Sequence, residues 1–214
     1  MTPYSLIEQA VQANTLLNHP FYLRWSKGEL TMNELKVYAK EYFALAAAIP
    51  GIVQMILDHL PAGQAHMKSF IEGNMAEEQE HAELWRRFTY SLGVTKEELD
   101  SYEPSVTTKG AIQSLLDAAA KSFEDGVITM YAFECELAKI AQTKKEGLIA
   151  FYNLTSHDAH VYFDEHIKEE EHLKVWRQIP VSSDNISAKA SVSIDAQHKV
   201  LDAVCDACGI SMVC

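Results

Sequence analysis

The chain has no glycine-rich phosphate loop, no dinucleotide fingerprint and no serine elbow, so nucleotide binding and serine hydrolysis lose their usual sequence support. It also lacks any convincing alternating strand pattern and any internal repeat, which leaves helices to build the fold. Positive charge is scarce: 18 Lys and Arg stand against 30 Asp and Glu, for a formal charge of −12. Nucleic acid and anionic membrane both attract basic surface, so neither is expected as a partner. Excess acid on its own signals solvated surface rather than metal. No uninterrupted run of about 18 apolar residues is present, and Met1-Thr2-Pro3-Tyr4 lacks the charged-then-apolar order of a leader. A soluble cytoplasmic protein is expected. Cysteine is sparse and badly placed for a disulfide framework: Cys135 stands alone, and Cys205, Cys208 and Cys214 crowd the last ten residues. Zinc at Cys205-x-x-Cys208 would want four ligands with only Cys214 and His198 nearby, so a structural or reactive tail is the expectation.

What is present is helical periodicity, in a 214-residue chain with 48% hydrophobic and 22% charged residues, the mix of one globular domain. Leu6, Ile7, Ala10, Val11 and Leu17 mark an opening amphipathic helix, and Pro20 and Gly28 can start and stop a short second one. Thr31 with Glu34 forms a capping box for a helix through Ala48, which Pro50-Gly51 should kink or break before residues 52–60. Residues 61–92 make the next segment, and Thr95 with Glu98 caps a brief turn ending near Pro104. Helices are expected at 108–124 and 126–142, a segment at 144–152, and a last long helix over 156–177. The serines of 181–193 suggest a flexible connector, and 194–208 a tail helix. The expected organisation is all-α, with a helical bundle at 1–180 and a connector plus tail helix at 181–214.

Carboxylates and histidines recur at metal-ligand spacing. Two Glu-x-x-His pairs, Glu78/His81 and Glu169/His172, each place both side chains on one helix face. Two such pairs plus a bridging Glu are the ingredients of a carboxylate di-iron or di-manganese site in a bundle. Glu134 supplies the candidate bridge, because it stands in an otherwise apolar stripe with Val127, Ile128, Met130, Tyr131, Phe133 and Leu137, where an unpaired acid is costly. Glu77, Glu80, Glu83, Glu165, Glu170 and Glu171 read as solvated face. Among the nine histidines, His19 reads as a cap, His59, His66 and His198 as surface, and His160 as a residue near the ligand helix that can line the pocket. Phe21, Tyr22, Trp25, Tyr38, Tyr42 and Phe43 form an aromatic stripe that reads first as core packing. The functional reading takes Tyr22, Trp25 and Tyr42, with Tyr131 and Phe133, as walls of a substrate cavity.

The text His19-Pro20-Phe21-Tyr22-x-x-Trp25-x-x-Gly28-Glu29-Leu30-Thr31, then Tyr38-Ala39-x-Glu41-Tyr42-Phe43, then His81-x-x-Leu84-Trp85-x-x-Phe88-x-x-x-Leu92-Gly93-Val94 resembles the haem-oxygenase-like superfamily that includes thiaminase II and pyrroloquinoline quinone synthase proteins. The likeness is strongest to its di-iron branch, the haem-oxygenase-like di-iron oxidases, and within that to the chlamydial death-domain-associating proteins, which make para-aminobenzoate. It runs over roughly residues 15–177. The resemblance implies a compact bundle of about seven helices holding two irons. Asn74-x-x-x-Glu78, Tyr131-Ala132-Phe133-Glu134 and Tyr162-Phe163-Asp164-Glu165-His166 resemble the family's ligand segments. From His166 to His172 is six positions where the family has seven, so the second-site acid is Glu169 or Glu170. On a regular helix Glu169 lies about 60° from His172 and Glu170 about 160°, which favours Glu169. The missing residue also allows an irregular turn there.

The implied activity is a non-haem di-iron oxidase using two Fe(II) and O₂ on a small-molecule substrate. Glu78, His81, Glu134 and His166 would hold one iron and Glu134, Glu169 and His172 the other. The substrate class is an amino acid, with an aromatic one favoured, oxidised by N-oxygenation, C–C cleavage or rearrangement in a biosynthetic pathway. Formation of para-aminobenzoate by sacrifice of the protein's own tyrosine stays open, with Tyr22, Tyr38, Tyr42 and Tyr131 as sources. The family further implies a homodimer, and leaves room for an external electron donor. A different class also stays open: a metal-free thiaminase II-like or quinone synthase-like protein, or a helical interaction protein. Cys135, next to Glu134, points about 100° from the metal face, which disfavours the cysteine-nucleophile version.

Overall fold

The computed structural model describes residues 2–168, 170–182 and 184–211, apart from the side chains of 170–172. The described residues contain helices and no strands. Helix α1 (Pro3–Ala13) starts at Thr2, whose side chain accepts from the Ser5 N–H, with Pro3 in the first turn, where its missing N–H costs nothing. In α2 (Pro20–Trp25) the His19 ring does the capping, accepting the Phe21 N–H at 3.2 Å, while its Nε2 lies 3.1 Å from Asp202. The expected capping boxes at Thr31/Glu34 and Thr95/Glu98 both form, and they open α3 (Met32–Asp58) and α5 (Lys96–Asp100). Between them lies α4 (Lys68–Ser91), preceded by a 3₁₀ segment at Ala62–Met67. The remainder comprises α6 (Val106–Ala119), α7 (Phe123–Glu134), α8 (Leu137–Tyr152), α9 (His157–His166), α10 (Glu170–Trp176) and α11 (Ile186–Cys208).

Helix α3 is the spine of the bundle, packed against α4, α6, α7 and α11, while α4 also packs on α9 and α9 on α8. By length and composition α3 could cross a membrane, although the chain has no long uninterrupted apolar run. Here it is the core helix, and its buried Glu41 accepts from the Tyr102 hydroxyl at 2.6 Å and the Ser105 N–H at 3.0 Å.

Four boundaries differ from the sequence reading. Pro50 does not break α3, because Ile49, Ile52, Val53 and Ile56 are locked in the core on either side of it. That packing offsets the roughly 3 kcal/mol a mid-helix proline costs. The helix expected over 126–142 is two helices, divided by a turn at Cys135–Glu136 directly after Glu134. The long helix expected over 156–177 is also divided, with Ile167 and Lys168 in a turn after His166, so the irregularity allowed by the short ligand spacing is present. Helix α11 begins at Ile186, so Ser187, Ser191 and Ser193 are helical rather than part of a connector. Its Ile194, Val200, Leu201 and Val204 join the common core, and the ion pair between Lys189 and Asp125 ties it to the start of α7.

Gly147 marks the tightest crossing near the site. A Cβ there would sit 2.6 Å from Nε1 of Trp25, and Trp25 has no room to retreat, since its indole is fully buried and donates to the Lys144 carbonyl at 3.1 Å. Gly147→Ala is therefore expected to destabilise the protein by about 1–3 kcal/mol in urea unfolding, against the usual small gain from Gly→Ala inside a helix.

Candidate metal centre and buried amine

The buried face of α4 separates its glutamates cleanly. Glu78 and His81 are buried, whereas Glu77, Glu80 and Glu83 on the other turns of the same run are exposed. Three-residue spacing brings Glu78 Oε1 to 3.5 Å from His81 Nδ1. Helix α9 then delivers His166, 1% exposed, with its ring centroid 4.3 Å from that of His81. His166 Nδ1 lies 2.7 Å from the Tyr162 carbonyl, and a carbonyl can only accept. The neutral ring therefore carries its proton on Nδ1 and presents the Nε2 lone pair, the arrangement that metal-binding histidines use.

Glu134 ends α7 and is 1% exposed. Its Oε2 accepts from the Trp176 indole at 2.8 Å, and Trp176 in turn lies edge-on to Phe70 of α4, with centroids 6.4 Å apart. The structure thus brings Glu78, His81 and His166 together, and holds Glu134 against Trp176. Glu169 and His172, and the choice between Glu169 and Glu170, lie outside the described side chains. No group of three or more His, Cys, Asp or Glu stands ready to hold a metal among the described residues. By donor chemistry the residues nevertheless fit a metal: two buried imidazoles, one with its tautomer fixed, and two buried carboxylates suit iron.

Beside the histidines lies a residue that sequence reading passed over. Lys144 on α8 is buried, and its Nζ sits 4.9 Å from the Tyr42 ring centroid, 5.1 Å from Tyr38, 5.3 Å from Tyr22, 5.4 Å from Trp85 and 5.9 Å from Phe163. No carboxylate among the described residues pairs with it. Burial alone pulls the amine down to about 7 from an ordinary 10.5. The same loss of water pushes the Tyr22 and Tyr38 phenols well above their usual range, and their hydroxyls lie 3.4 Å apart. Amine cage and histidine pair share walls: Trp85 lies 4.7 Å from Tyr162, and Tyr162 stacks on His166 at 3.9 Å.

Tyr22, Trp25 and Tyr42 therefore belong to this cage or its immediate backing. Tyr131 and Phe133 do not. The Tyr131 hydroxyl bonds to Glu8 at 2.5 Å and receives Arg177 Nε at 2.7 Å, on the side facing α1. Phe133 faces Val11, Leu16 and Ile194, between α1 and α11. Consecutive positions on α7 diverge by about 100°, so Tyr131 and Phe133 need not follow Glu134 inward. Cys135, also on the α1 side, has its thiol pushed up to about 12 by burial, which leaves it protonated and weakly nucleophilic near neutral pH. Both nitrogens of the buried His160 lack hydrogen-bond partners. A groove of about 580 Å³ lined by His59, Gln64, Lys121 and Ser182 is separate from this cluster.

The chain belongs to the TENA/THI-4/PQQC family, whose model matches residues 8–207. A protein named 4-aminobenzoate synthase from Chlamydia muridarum is 32% identical over 165 residues, covering 75% of this chain and 69% of its own length. Another of that name, from Nitrosomonas europaea, is 25% identical over 97% of this chain and 93% of its own. Among solved structures, a TenA homologue from Pseudomonas syringae superposes with a TM-score of 0.80 at 13% identity, covering 94% of this chain and 91% of that one. A domain from Shewanella denitrificans with a haem oxygenase-like fold superposes at 0.73 with 17% identity, covering 97% and 90%. The fold is haem oxygenase-like, and the curated relatives carry the name of an enzyme.

Burying Lys144 sets a pH dependence whose sign is fixed. The folded amine titrates near 7 and the unfolded one near 10.5, so between those values the unfolded chain binds more protons and stability rises with pH. Lys144→Met should remove that slope and raise unfolding free energy by about 2–5 kcal/mol at pH 7, with a difference that shrinks towards pH 10.5. Urea unfolding of the two proteins at pH 7 and pH 10 checks it.

Proposed function

We propose that this chain is an O₂-dependent non-haem di-iron oxygenase that forms 4-aminobenzoate, with the aromatic ring taken from one of its own tyrosines. Relatives bearing the name 4-aminobenzoate synthase support the product. The observation that carries the reading is the buried Lys144 amine, pulled down to about 7 by burial and 4.9–5.3 Å from three tyrosine rings in a core shared with the histidine pair. Glu78, His81, Glu134 and His166 would hold one iron, and Glu134, Glu169 and His172 the other. Two Fe(II) ions bound there would supply the electrons for reducing O₂.

The rest follows from the residues themselves. 4-Aminobenzoate consists of a six-membered ring, a single carboxyl carbon and a para nitrogen. A tyrosine cleaved between Cα and Cβ leaves the ring and that single carbon. Tyr22, Tyr38 and Tyr42 are held by the core in fixed orientations around Nζ, so the ring arrives pre-positioned and no binding step is needed. Neutral Nζ has a lone pair, so it is a hydrogen-bond acceptor and an amine held against the ring. Trp85 and Phe163 close the cage and keep water from competing for either role.

Protein grown with ring-¹³C tyrosine, loaded anaerobically with Fe(II), then given reductant and O₂, is expected to release ¹³C-labelled 4-aminobenzoate detectable by mass spectrometry. Unlabelled product, or none, refutes an internal tyrosine. His81→Ala and Lys144→Met should each lower product at least about 100-fold, whereas Glu80→Ala should stay near wild type. At the short spacing after His166, Glu169→Ala should be inactive and Glu170→Ala active; the reverse result moves the ligand to Glu170.

A further inference from the structure

Trp176, the last residue of α10, is fully buried and gives its indole proton to Glu134. A bond to a carboxylate oxygen is charge-assisted, and it fixes how that carboxylate is rotated and which lone pairs remain for another partner. Trp176 is itself held from α1. The Tyr4 hydroxyl lies between the carbonyls of Trp176 and Ile179, with 2.7 Å to the latter, and can share its proton between them. The next residue, Arg177, reaches the Tyr131 hydroxyl at 2.7 Å and Glu8 Oε1 at 2.7 Å. Glu8 also receives the Tyr131 hydroxyl, and the Tyr4 and Tyr131 rings meet edge-on at 4.6 Å.

These contacts have a common direction. Tyr4 and Glu8 are one turn apart on α1; Tyr131 and Glu134 are about one turn apart on α7; Trp176 and Arg177 are adjacent where α10 ends. Residues from the first helix thus seat a tryptophan that seats the proposed bridging acid. We propose that α1 is a positioning clamp for the carboxylate centre, in which Tyr4 and Glu8 hold the Trp176–Arg177 segment and Trp176 sets the orientation of Glu134. This rests on the reading of Glu134 as a metal ligand. It gives Trp176 and Tyr4 the part of positioning residues, acting on the centre only through Glu134.

The test is an anaerobic Co(II) titration of the metal-free full chain, followed by calorimetry and visible absorption, for wild type, Trp176→Phe and Tyr4→Phe. Trp176→Phe keeps a ring and deletes the N–H; Tyr4→Phe deletes only the hydroxyl. Trp176→Phe should bind Co(II) about 10–100-fold more weakly with an altered ligand-field spectrum, and Tyr4→Phe more weakly by a smaller factor, both with wild-type far-UV circular dichroism. Simple helix docking would instead lower melting temperature and leave affinity and spectrum unchanged; that outcome in both variants overturns the clamp while the metal reading stands. Failure of the wild type to bind Co(II) removes the metal reading and the clamp with it. If Trp176→Phe does not fold, Tyr4→Phe decides, and wild-type affinity and spectrum there refute the proposal. In the metal-free protein the Trp176 indole N–H resonance should also shift on Tyr4→Phe, and an unmoved resonance refutes the coupling.

Discussion

A buried amine that no carboxylate among the described residues pairs with cannot keep its proton cheaply, and Lys144 is placed under that constraint. Five aromatic rings surround Nζ, and they are neutral walls. Desolvation penalises whichever form is charged, so it moves the lysine and the tyrosines in opposite directions: the amine down to about 7, the Tyr22 and Tyr38 phenols up. The phenols are thereby held neutral, and the amine gives up its proton far more easily than in water, all close together and away from solvent. The fold bears this burden because everything around Lys144 is rigid. Trp25 grips its carbonyl, Gly147 lets Trp25 approach, and Trp85 is pinned to the Ala39 carbonyl at 2.8 Å.

Two helix breaks would serve the proposed centre. The turn at Cys135–Glu136 ends α7 at Glu134 and redirects the chain so that α8 brings Lys144 back along the aromatic stripe of α2 and α3. The turn at Ile167 and Lys168 ends α9 at His166. A ligand at the last position of a helix keeps the rigidity of the turns before it, while the next segment is free to leave at another angle. Segment α10 uses that freedom to bring Trp176 down onto Glu134.

Much of this was legible, for physical reasons. Period and capping chemistry located the helices, and three-residue spacing separated buried Glu78 from exposed Glu77 and Glu80. Lys144 escaped because a lysine on a helix ordinarily lies in water. The signal was its register: Leu137, Ile140, Ala141, Lys144, Gly147 and Leu148 form one buried face, and a lone cation there is out of place. Local rules overstate Pro50, because they count a lost hydrogen bond and not the packing around it. Neither glycine nor proline announces the break after Glu134. No local pattern sets the direction of Tyr131, because its hydroxyl's partner, Glu8, is 123 positions away.

The acids of this fold divide by the company they keep. Glu8, Asp125 and Asp164 are each met by a cation: Arg177, Lys189 and Lys145 respectively. Burial raises the Glu8 carboxyl, but bonds from Tyr131 and Arg177 outweigh it and hold the group below its usual value. Glu41, deep in α3, is met by a phenol and a backbone N–H, which join α3 to the start of α6. Glu134 receives an indole N–H, and His166 Nδ1 faces a carbonyl of its own helix. Partners of that kind orient a side chain without neutralising it or occupying all its lone pairs. A cation-paired acid is satisfied in charge, whereas an indole N–H adds direction to a carboxylate without adding charge. In the proposed clamp, the Trp176 indole is the group that orients Glu134, and Glu8, through Arg177 and Tyr131, belongs to the frame behind it.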